Sequence, residues 1–525
     1  MTLSSTIRSV LPDVETGGST VPALVLRHAA RLGDKPALID GATGRAITYR
    51  DLAAGVDRMA AGLVARGFAP GDVLAVYLPN LPEYAVIAYG AMAAGGIVTG
   101  ASPASTVEEL TAQLTAARAR LLITVPALAE QAVAAAGQAG VEEVFVLGTA
   151  PGATPFSQLV GHSYPPVRVP IDPDRDLAAL PFSSGTSGLP KGVELTHTAL
   201  VTNVRQGEAS LAFHEQDVVI AVAPFFHALG LNLVLPGSLA AGATVVTMSR
   251  FDLEAFLSLI QQHRATLTIV VPPIALALAY HPMVDNYDLS SLRAVGVGAA
   301  PLGADQEQRC AERLGCAVVQ GLGMTETSAF ISGGPLDAPR RGSVGRLVPG
   351  TEARIVDPGS HTDLAAGRTG ELWVRGPQLM RGYRNDPAAT ARTIDVDGWL
   401  HTGDLCYLDE DGYLYVVDRL KELIKYKGLQ VPPAELEAVL LSHPAVAEAA
   451  VVGARDAGGL VKPFAFVVAS NGTATERLIG ELTALAAERL SSHQRPRHIA
   501  VVDALPRTAT GKLQRFVLKA RVESR

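Results

Sequence analysis

Residues 183–191 read Ser-Ser-Gly-Thr-Ser-Gly-Leu-Pro-Lys, and Gly192 follows. Ser183, Ser184, Thr186 and Ser187 offer hydroxyl donors. Gly185 and Gly188 let backbone N–H groups approach an anion, and Lys191 adds positive charge. Such a segment suits a loop that wraps a polyphosphate. It is not a Walker A loop, because Pro190 stands where the second glycine belongs. A serine- and glycine-rich stretch also fits an ordinary solvated loop, so its weight depends on the segments downstream.

Gln320-Gly-Leu-Gly-Met-Thr-Glu326 supplies a hydroxyl at Thr325 and a hard carboxylate oxygen at Glu326. Mg²⁺ takes one or two carboxylates beside phosphate oxygens, so Glu326 is a candidate metal ligand. Taken alone, the segment equally fits a turn opening a helix. Thr402-Gly-Asp404 places a short carboxylate after a glycine, where it can accept hydrogen bonds from a ribose diol; a surface turn is the other reading. Residues 418–428 read Asp-Arg-Leu-Lys-Glu-Leu-Ile-Lys-Tyr-Lys-Gly, with Gln430 beyond. The basic residues could be a solvated face, yet Leu420, Leu423 and Ile424 interleave with them and argue for ordered structure. Near the end, Lys512 follows Thr-Gly and can reach from a loop to neutralise charge developing on an oxygen.

The elements that must position these residues can be read from periodicity. The chain has 525 residues, 48% hydrophobic and 18% charged, enough for several buried cores. A net charge of -7 speaks against a nucleic-acid surface. Three cysteines, Cys310, Cys316 and Cys406, form no paired framework, so a cytoplasmic protein is expected. Residues 218–249 lack Asp, Glu, Lys and Arg, but Pro224, His227, Gly230, Asn232, Pro236 and Gly242 break the run. A buried strand–loop–helix–strand is expected there, with no membrane span.

Thr48 and Asp51 mark a helix start, with Leu52, Val56, Met59 and Leu63 at helical spacing. Apolar strands at 73–78, 120–125, 143–148, 245–248, 268–271 and 294–297 alternate with helical patterns, which implies mostly parallel, doubly wound α/β sheets. Beyond about residue 342, runs at 352–356 and 371–374 suit a small antiparallel, β-barrel-like subdomain. From about 420, a helix at 434–441, strands at 447–453 and 464–469 and a helix at 475–490 suit a small α+β C-terminal domain. The expected division is a large domain over 1–418, a hinge at 419–421 and a small domain over 422–525.

In this order, the five segments together resemble the adenylate-forming superfamily of acyl-CoA synthetases, luciferases and adenylation domains. The resemblance runs from about residue 24 to 512. Residues 417–428 and 430–437 resemble the 4-coumarate–CoA ligase-like branch. The resemblance implies a two-step ATP-dependent acid–thiol ligase. A carboxylate attacks the α-phosphate of MgATP to give an acyl-adenylate and pyrophosphate; the thiol of coenzyme A then takes the acyl group and AMP leaves. It implies that the small domain is mobile and rotates between the steps.

By position, the resemblance assigns 183–191 to the β- and γ-phosphates. Thr325 falls to the α-phosphate, Glu326 to Mg²⁺, and Asp404 with Arg419 to the ribose. Gln320, Gly321 and Leu322 flank the adenine and acyl group, as do Gly298 and Ala299. Lys512 is the adenylation lysine. Lys421 marks the hinge, Lys425 approaches the adenylate, Gln430 lies beside the nucleotide, and Lys427 and Gly428 lie near coenzyme A.

The acid-binding residues implied are His227, Leu229, Leu233, Gly296, Gly298, Ala299, Gly321 and Ala329. Plant coumarate ligases carry a tyrosine where this chain has Leu229, and polar groups where it has Leu233 and Pro236. An unpaired buried para-hydroxyl costs about 1–3 kcal/mol, so a less polar acid is expected, benzoate- or cinnamate-like, with a medium-chain fatty acid as the alternative. Leu322 replaces the usual aromatic residue against the adenine. The thiol acceptor is expected to be free coenzyme A; the alternative partner is a carrier protein's phosphopantetheine arm. Neither a G-x-G-x-x-G turn nor a G-x-S-x-G elbow is present, which excludes dinucleotide oxidoreductase and serine-hydrolase readings.

Overall fold

The computed structural model describes residues 6–161, 164–183, 190–426, 429–455, 461–470, 475–507 and 513–523, with the backbone alone at Gln430. The chain divides into two compact units: Ile7–Ala353 with Val374–Leu400, and the described residues of Arg354–Trp373 with His401–Arg525. The expected hinge at 419–421 lies within the second of these.

Two sheets build the first unit. One takes seven strands; Ala317–Gln320, Ala294–Val297, Leu267–Val270, Val218–Ala221, Thr244–Thr247 and Pro36–Asp40 run parallel in that order, and Ala46–Thr48 closes the edge antiparallel. The other has a parallel centre of Val73–Tyr77, Ile97–Gly100, Ala119–Thr124 and Glu143–Val146. Strands buried on both faces read as continuous apolar runs, which is why these segments stood out in the sequence.

Side chains alternate between faces, so each strand feeds two cores. Val219, Val245, Leu267, Ile269 and Ala294 join Leu74 and Val76 of the second sheet in one central core. Their neighbours Ile220, Val246, Val270 and Val295 pack outward under the helices Leu253–His263, Pro272–Tyr280 and Ala304–Leu314. Val73, Ala75 and Tyr77 pack outward under Val107–Ala117 and Ala129–Ala139. The helix Glu83–Ala93 is apolar all round and lies in the central core, with Tyr84, Ile87 and Tyr89 wholly buried. Its partner Tyr49–Ala65 is capped by Thr48, whose hydroxyl accepts from Asp51 N. Gly90 lets the two helices close up, since a Cβ there would lie 2.3 Å from Met59 Cγ.

The strands Glu352–Val356, Gly370–Arg375, Leu400–Leu408 and Leu414–Arg419, most of whose residues belong to the second unit, form a sheet in that order. Further on, Val446–Arg455 pairs antiparallel with Val461–Ala469, which runs parallel to His498–Val501. This sheet buries Val451, Ala465 and Val467 on one face, under the helices Pro433–Leu441 and Thr475–Arg489. It buries Ala450, Val452 and Phe466 on the other, with Leu518 of Arg515–Glu523.

Expected strands and helices recur with ends shifted by a few residues. Residues 218–249 form a strand, a π-helical turn, a helix and a strand. Among the described residues no helix is long and apolar enough to cross a membrane. Cys310 and Cys406 are buried and Cys316 partly so. Burial pushes the Cys310 thiol up to about 12 and Cys316 to about 11, and Cys406 well above its ordinary value.

Candidate nucleotide and acid site

The first phosphate-type segment is bounded by two paired strands. Phe182–Ser183 pairs antiparallel with Lys191–Thr196, and the register sets Ser183 opposite Lys191 at the loop's base. The Ser183 hydroxyl is buried and has no hydrogen-bond partner among the described residues, so it is available to an anion in the loop. Lys191 Nζ lies 3.9 Å from Asp386 and 5.0 Å from the centre of the Tyr383 ring.

Phe182–Ser183 lies against the one-turn 3₁₀ helix Thr325–Thr327. This brings the base of the hairpin and the Thr325–Glu326 motif together. Glu326 is buried; its Oε1 accepts from the Tyr383 hydroxyl at 2.8 Å, and its carbonyl accepts from Met380 N at 2.8 Å. Among the described residues no three His, Cys, Asp or Glu side chains gather into a metal cage. One buried carboxylate beside a phosphate-type hairpin suits Mg²⁺ that completes its shell with nucleotide oxygens and water.

Local sterics explain the glycines of this motif. A Cβ on Gly321 would meet the Phe330 ring at 2.8 Å, and one on Gly323 would meet Ala329 O at 1.6 Å. The chain folds tightly back on itself, with Leu322 N bonded to Ser332 O. Ser328 closes the turn at φ +66, a conformation costly for a residue with a side chain.

A chain of buried amides holds that conformation. Asn203 Nδ2 donates to Phe330 O at 2.9 Å, and Phe330 N donates to Asn203 Oδ1 at 3.1 Å. Asn203 also donates to Gln206 Oε1, and Gln206 donates to Pro349 O and Gln378 Oε1. Gln378 O accepts from the Ser328 hydroxyl, and Asn232 Nδ2 donates to Ser328 O. Asn203, Gln206, Ser328 and Gln378 are wholly buried.

The parallel register Val270–Val297–Gln320 lines up three strand ends in the first unit, where ligands of open α/β sheets collect. Gly298 and Gly321 leave them side by side, with Gly298 N bonded to Val270 O and Gly321 N to Val297 O. Ala299 follows at φ +70. A Cβ on Gly298 would sit 3.7 Å from Leu229, so these two expected acid-site residues adjoin. Leu229–Val234 is the π-helical turn, and Gly230 is required there because a Cβ would lie 2.1 Å from Pro224 O. His227 Nδ1 accepts from Leu229 N at 3.4 Å. Leu233 packs instead on Gly207 in the central core, and Gly296 packs against Ile269. Ala329 is buried beneath Gly323.

The Gln320 side chain is committed to structural contacts. Its amide accepts from Leu302 N at 2.7 Å, donates to Leu302 O at 2.9 Å and donates to Glu307 Oε2 at 2.6 Å. Glu307 also accepts from Gly342 N. Burial pushes the Glu307 carboxyl above its ordinary range, against the donors that hold it ionised.

In the second unit, Thr402-Gly-Asp404 lies inside the strand Leu400–Leu408, so the surface-turn reading does not hold. Asp404 stands opposite Arg419 in the ladder, and Arg419 Nε contacts its Oδ1 at 2.8 Å. Gly403 adopts φ +71 and its N–H donates to Glu371 Oε1. Asp418 is buried; one oxygen accepts from Arg419 N and the other from Ala434 N at the start of Pro433–Leu441. Desolvation pushes its carboxyl up to about 6. Exposed Lys425 lies between buried Ile424 and Tyr426, and its backbone pairs with Gln430 across a short hairpin. Lys421 lies in the turn before it. Arg515 reaches Glu422 at 2.7 Å, Glu437 at 3.0 Å and Val451 O at 2.9 Å.

Ser184, Gly185, Thr186, Ser187, Gly188, Lys427, Gly428 and Lys512 lie outside the described residues, as does the Gln430 side chain. Sequence reasoning passed over Tyr383, Asn203, Gln206, Gln378 and Glu307. A signal existed for two of them. Asn203 and Gln206 are polar at i, i+3 on the helix His197–Leu211, amid Leu200, Val204 and Leu211.

Known proteins resemble this chain along nearly its whole length. The chain is 41% identical over 526 residues to 4-coumarate–CoA ligase 3 of Oryza sativa subsp. japonica, covering 98% of this chain and 94% of that one. Among solved structures it is similar to an anthranilate–CoA ligase in complex with anthranoyl-AMP, with TM-score 0.90, 27% identity and coverage of 96% and 98%. It is also similar to a benzoate–CoA ligase from Burkholderia xenovorans, with TM-score 0.87, 30% identity and coverage of 95% and 100%. The AMP-binding enzyme model matches residues 25–384 and its C-terminal domain model residues 435–512. With its hairpin, its buried Glu326 turn and its Asp404–Arg419 ladder pair, the chain belongs to the AMP-binding enzyme family.

Proposed function

We propose that the chain is an AMP-forming acid–CoA ligase that activates an aromatic carboxylic acid as its acyl-adenylate and passes the acyl group to coenzyme A. The observation that carries this reading is the hairpin base of Ser183 and Lys191 lying against the Thr325–Glu326 turn, within a chain 41% identical to a 4-coumarate–CoA ligase.

In this reading Lys191 and the Ser183 hydroxyl, with 184–188, hold the β- and γ-phosphates, and Thr325 orients the α-phosphate. Glu326 would hold Mg²⁺, which supplies charge neutralisation on the phosphates when bound. Asp404, oriented by Arg419, accepts from the ribose hydroxyls. The Gly298–Ala299 bend and the Gly321–Leu322 backbone flank adenine and acyl group. Leu322 covers the base by apolar contact in place of ring stacking. In-line displacement at phosphorus needs positioning and charge neutralisation and no side-chain nucleophile. The acid carboxylate attacks the α-phosphorus, the P–O bond to pyrophosphate breaks, and the Lys512 ammonium stabilises the oxygens. The thiol then attacks the acyl carbon and AMP departs with the electron pair, after the small domain has turned at Lys421 to bring Lys427 and Gly428 to coenzyme A. Lys425 and Gln430 attend the adenylate, and His227 borders the acid.

Leu229 beside Gly298 makes the acid pocket apolar where a phenol would need a partner, so the acid is benzoate- or cinnamate-like without a para-hydroxyl. The test is pyrophosphate release across an acid panel, followed by mass spectrometry of the thioester with coenzyme A and with a phosphopantetheinyl carrier protein as separate acceptors. A strong preference for 4-coumarate over cinnamate overturns the pocket assignment; exclusive use of the carrier overturns the acceptor. Lys512→Ala is expected to abolish adenylation while thioester formation from supplied acyl-adenylate continues. Equal loss in both half-reactions contradicts that role.

A further inference from the structure

We propose that Tyr383 is a positioning residue that ties Lys191 and Glu326 into one grip on metal-bound phosphate. The inference rests on the reading of Lys191 as a phosphate ligand and Glu326 as the Mg²⁺ ligand. It adds the group that makes them act together.

The tie is built from main chain and side chain. The short strand Gly382–Tyr383 pairs antiparallel with Lys191–Thr196, setting Tyr383 opposite Val193. Arg381 N donates to Glu194 O and Arg384 N to Gly192 O, so the pairing is closed on both sides. Met380 N, on the same segment, donates to Glu326 O. One stretch of chain therefore fastens both the strand that carries Lys191 and the turn that carries Glu326.

Tyr383 completes the connection. Its hydroxyl donates to Glu326 Oε1 at 2.8 Å, and its ring lies 5.0 Å from Lys191 Nζ. Its own N–H donates to Thr390 Oγ1 at 2.9 Å, which fixes the backbone below the ring. A donor on Oε1 sets the carboxylate plane and commits that oxygen. Among the described residues Oε2 has no donor, which leaves it for a cation. The ring face and Asp386 keep the ammonium beside the hairpin.

Tyr383→Phe keeps the ring and removes only the hydroxyl, so it preserves the fold and the seat of Lys191. ATP binding is measured by calorimetry without acid or thiol, first in EDTA and then across a Mg²⁺ titration, for wild type, Tyr383→Phe, Tyr383→Leu and Glu326→Gln. Tyr383→Phe is expected to raise the Mg²⁺ concentration at half-effect about tenfold, with little change in EDTA. Tyr383→Leu is expected to weaken binding in EDTA as well, because Lys191 loses its seat. A wild-type Mg²⁺ response in Tyr383→Phe, with Glu326→Gln shifted, overturns the role of Tyr383 alone. A wild-type response in Glu326→Gln overturns the metal-ligand reading and this inference with it.

Discussion

The two units hold their site residues by different means. Around Glu326, the turn is fixed by neutral amides: Asn203, Gln206 and Gln378 bond to backbone groups and to one another, wholly buried. In the second unit the work falls to charge. Asp404 faces Arg419, Asp418 receives two backbone N–H groups, and Arg515 joins Glu422 and Glu437. A neutral network gives up little to desolvation and is indifferent to salt and pH. An ionic one is strong when desolvated but answers to both. The Thr325–Ser328 turn is thereby held independently of salt and pH, whereas the ionic contacts of the second unit respond to both.

Arg515→Ala tests the ionic side most severely. It leaves Glu437 partly buried beside Val451 without its cation, and the second unit's unfolding transition in urea is expected to lose about 4 kcal/mol. The loss should shrink in high salt, where the charge left on Glu437 is screened. A salt-independent loss would show that packing, not charge, carries the contact.

Asn203→Leu probes the neutral side. Phe330 N, Phe330 O and Gln206 lose their partner, and the first unit is expected to lose about 3 kcal/mol, unchanged between low and high salt. Adenylation should fall with it, since the Thr325–Ser328 turn relaxes from its strained form; urea unfolding and ATP–pyrophosphate exchange measure the two effects.

Asp418 sharpens the contrast through pH. Its folded carboxyl sits at about 6, above its ordinary value, so the folded state holds a proton that the unfolded state has released. The stability this supplies is present below about pH 4 and lost as pH rises through 6. Asp418→Asn removes the titration. The stability of wild type relative to this variant is therefore expected to decline by about 2 kcal/mol from pH 4 to 7. A flat difference would place the carboxyl at its ordinary value.

The smallest effect is expected at Glu307. Glutamine there keeps an acceptor for Gln320 and Gly342, so Glu307→Gln should alter the KM for ATP by less than about twofold. Glu307→Leu should free the Gln320 amide, loosen Leu302 and raise that KM with little change in kcat. Equal behaviour of the two variants would show that the Glu307–Gln320 hydrogen bond does not hold Leu302 in place.

The sequence carried the architecture well because strands such as Ala294–Val297 are buried on both faces and read as unbroken apolar runs. The motif segments stood out because hydroxyls, glycines and carboxylates at short spacing are the groups that phosphate and metal chemistry would require. Three things stayed hidden, each for a physical reason. The π-helical turn at Leu229–Val234 has no side-chain period of its own. Gln320 stood out as a ligand, yet its amide is spent on Leu302 and Glu307, partners 18 and 13 residues earlier that no helical or strand period links to it. Tyr383 acts across a strand pairing that no local pattern announces.

The state of the three thiols has a bearing on the product. A thioester is a standing electrophile, and any thiolate nearby can take its acyl group. Cys310 and Cys316, titrating at about 12 and 11, are almost entirely protonated at neutral pH, and Cys406 is more so. Burial and protonation make them poor nucleophiles toward the acyl group.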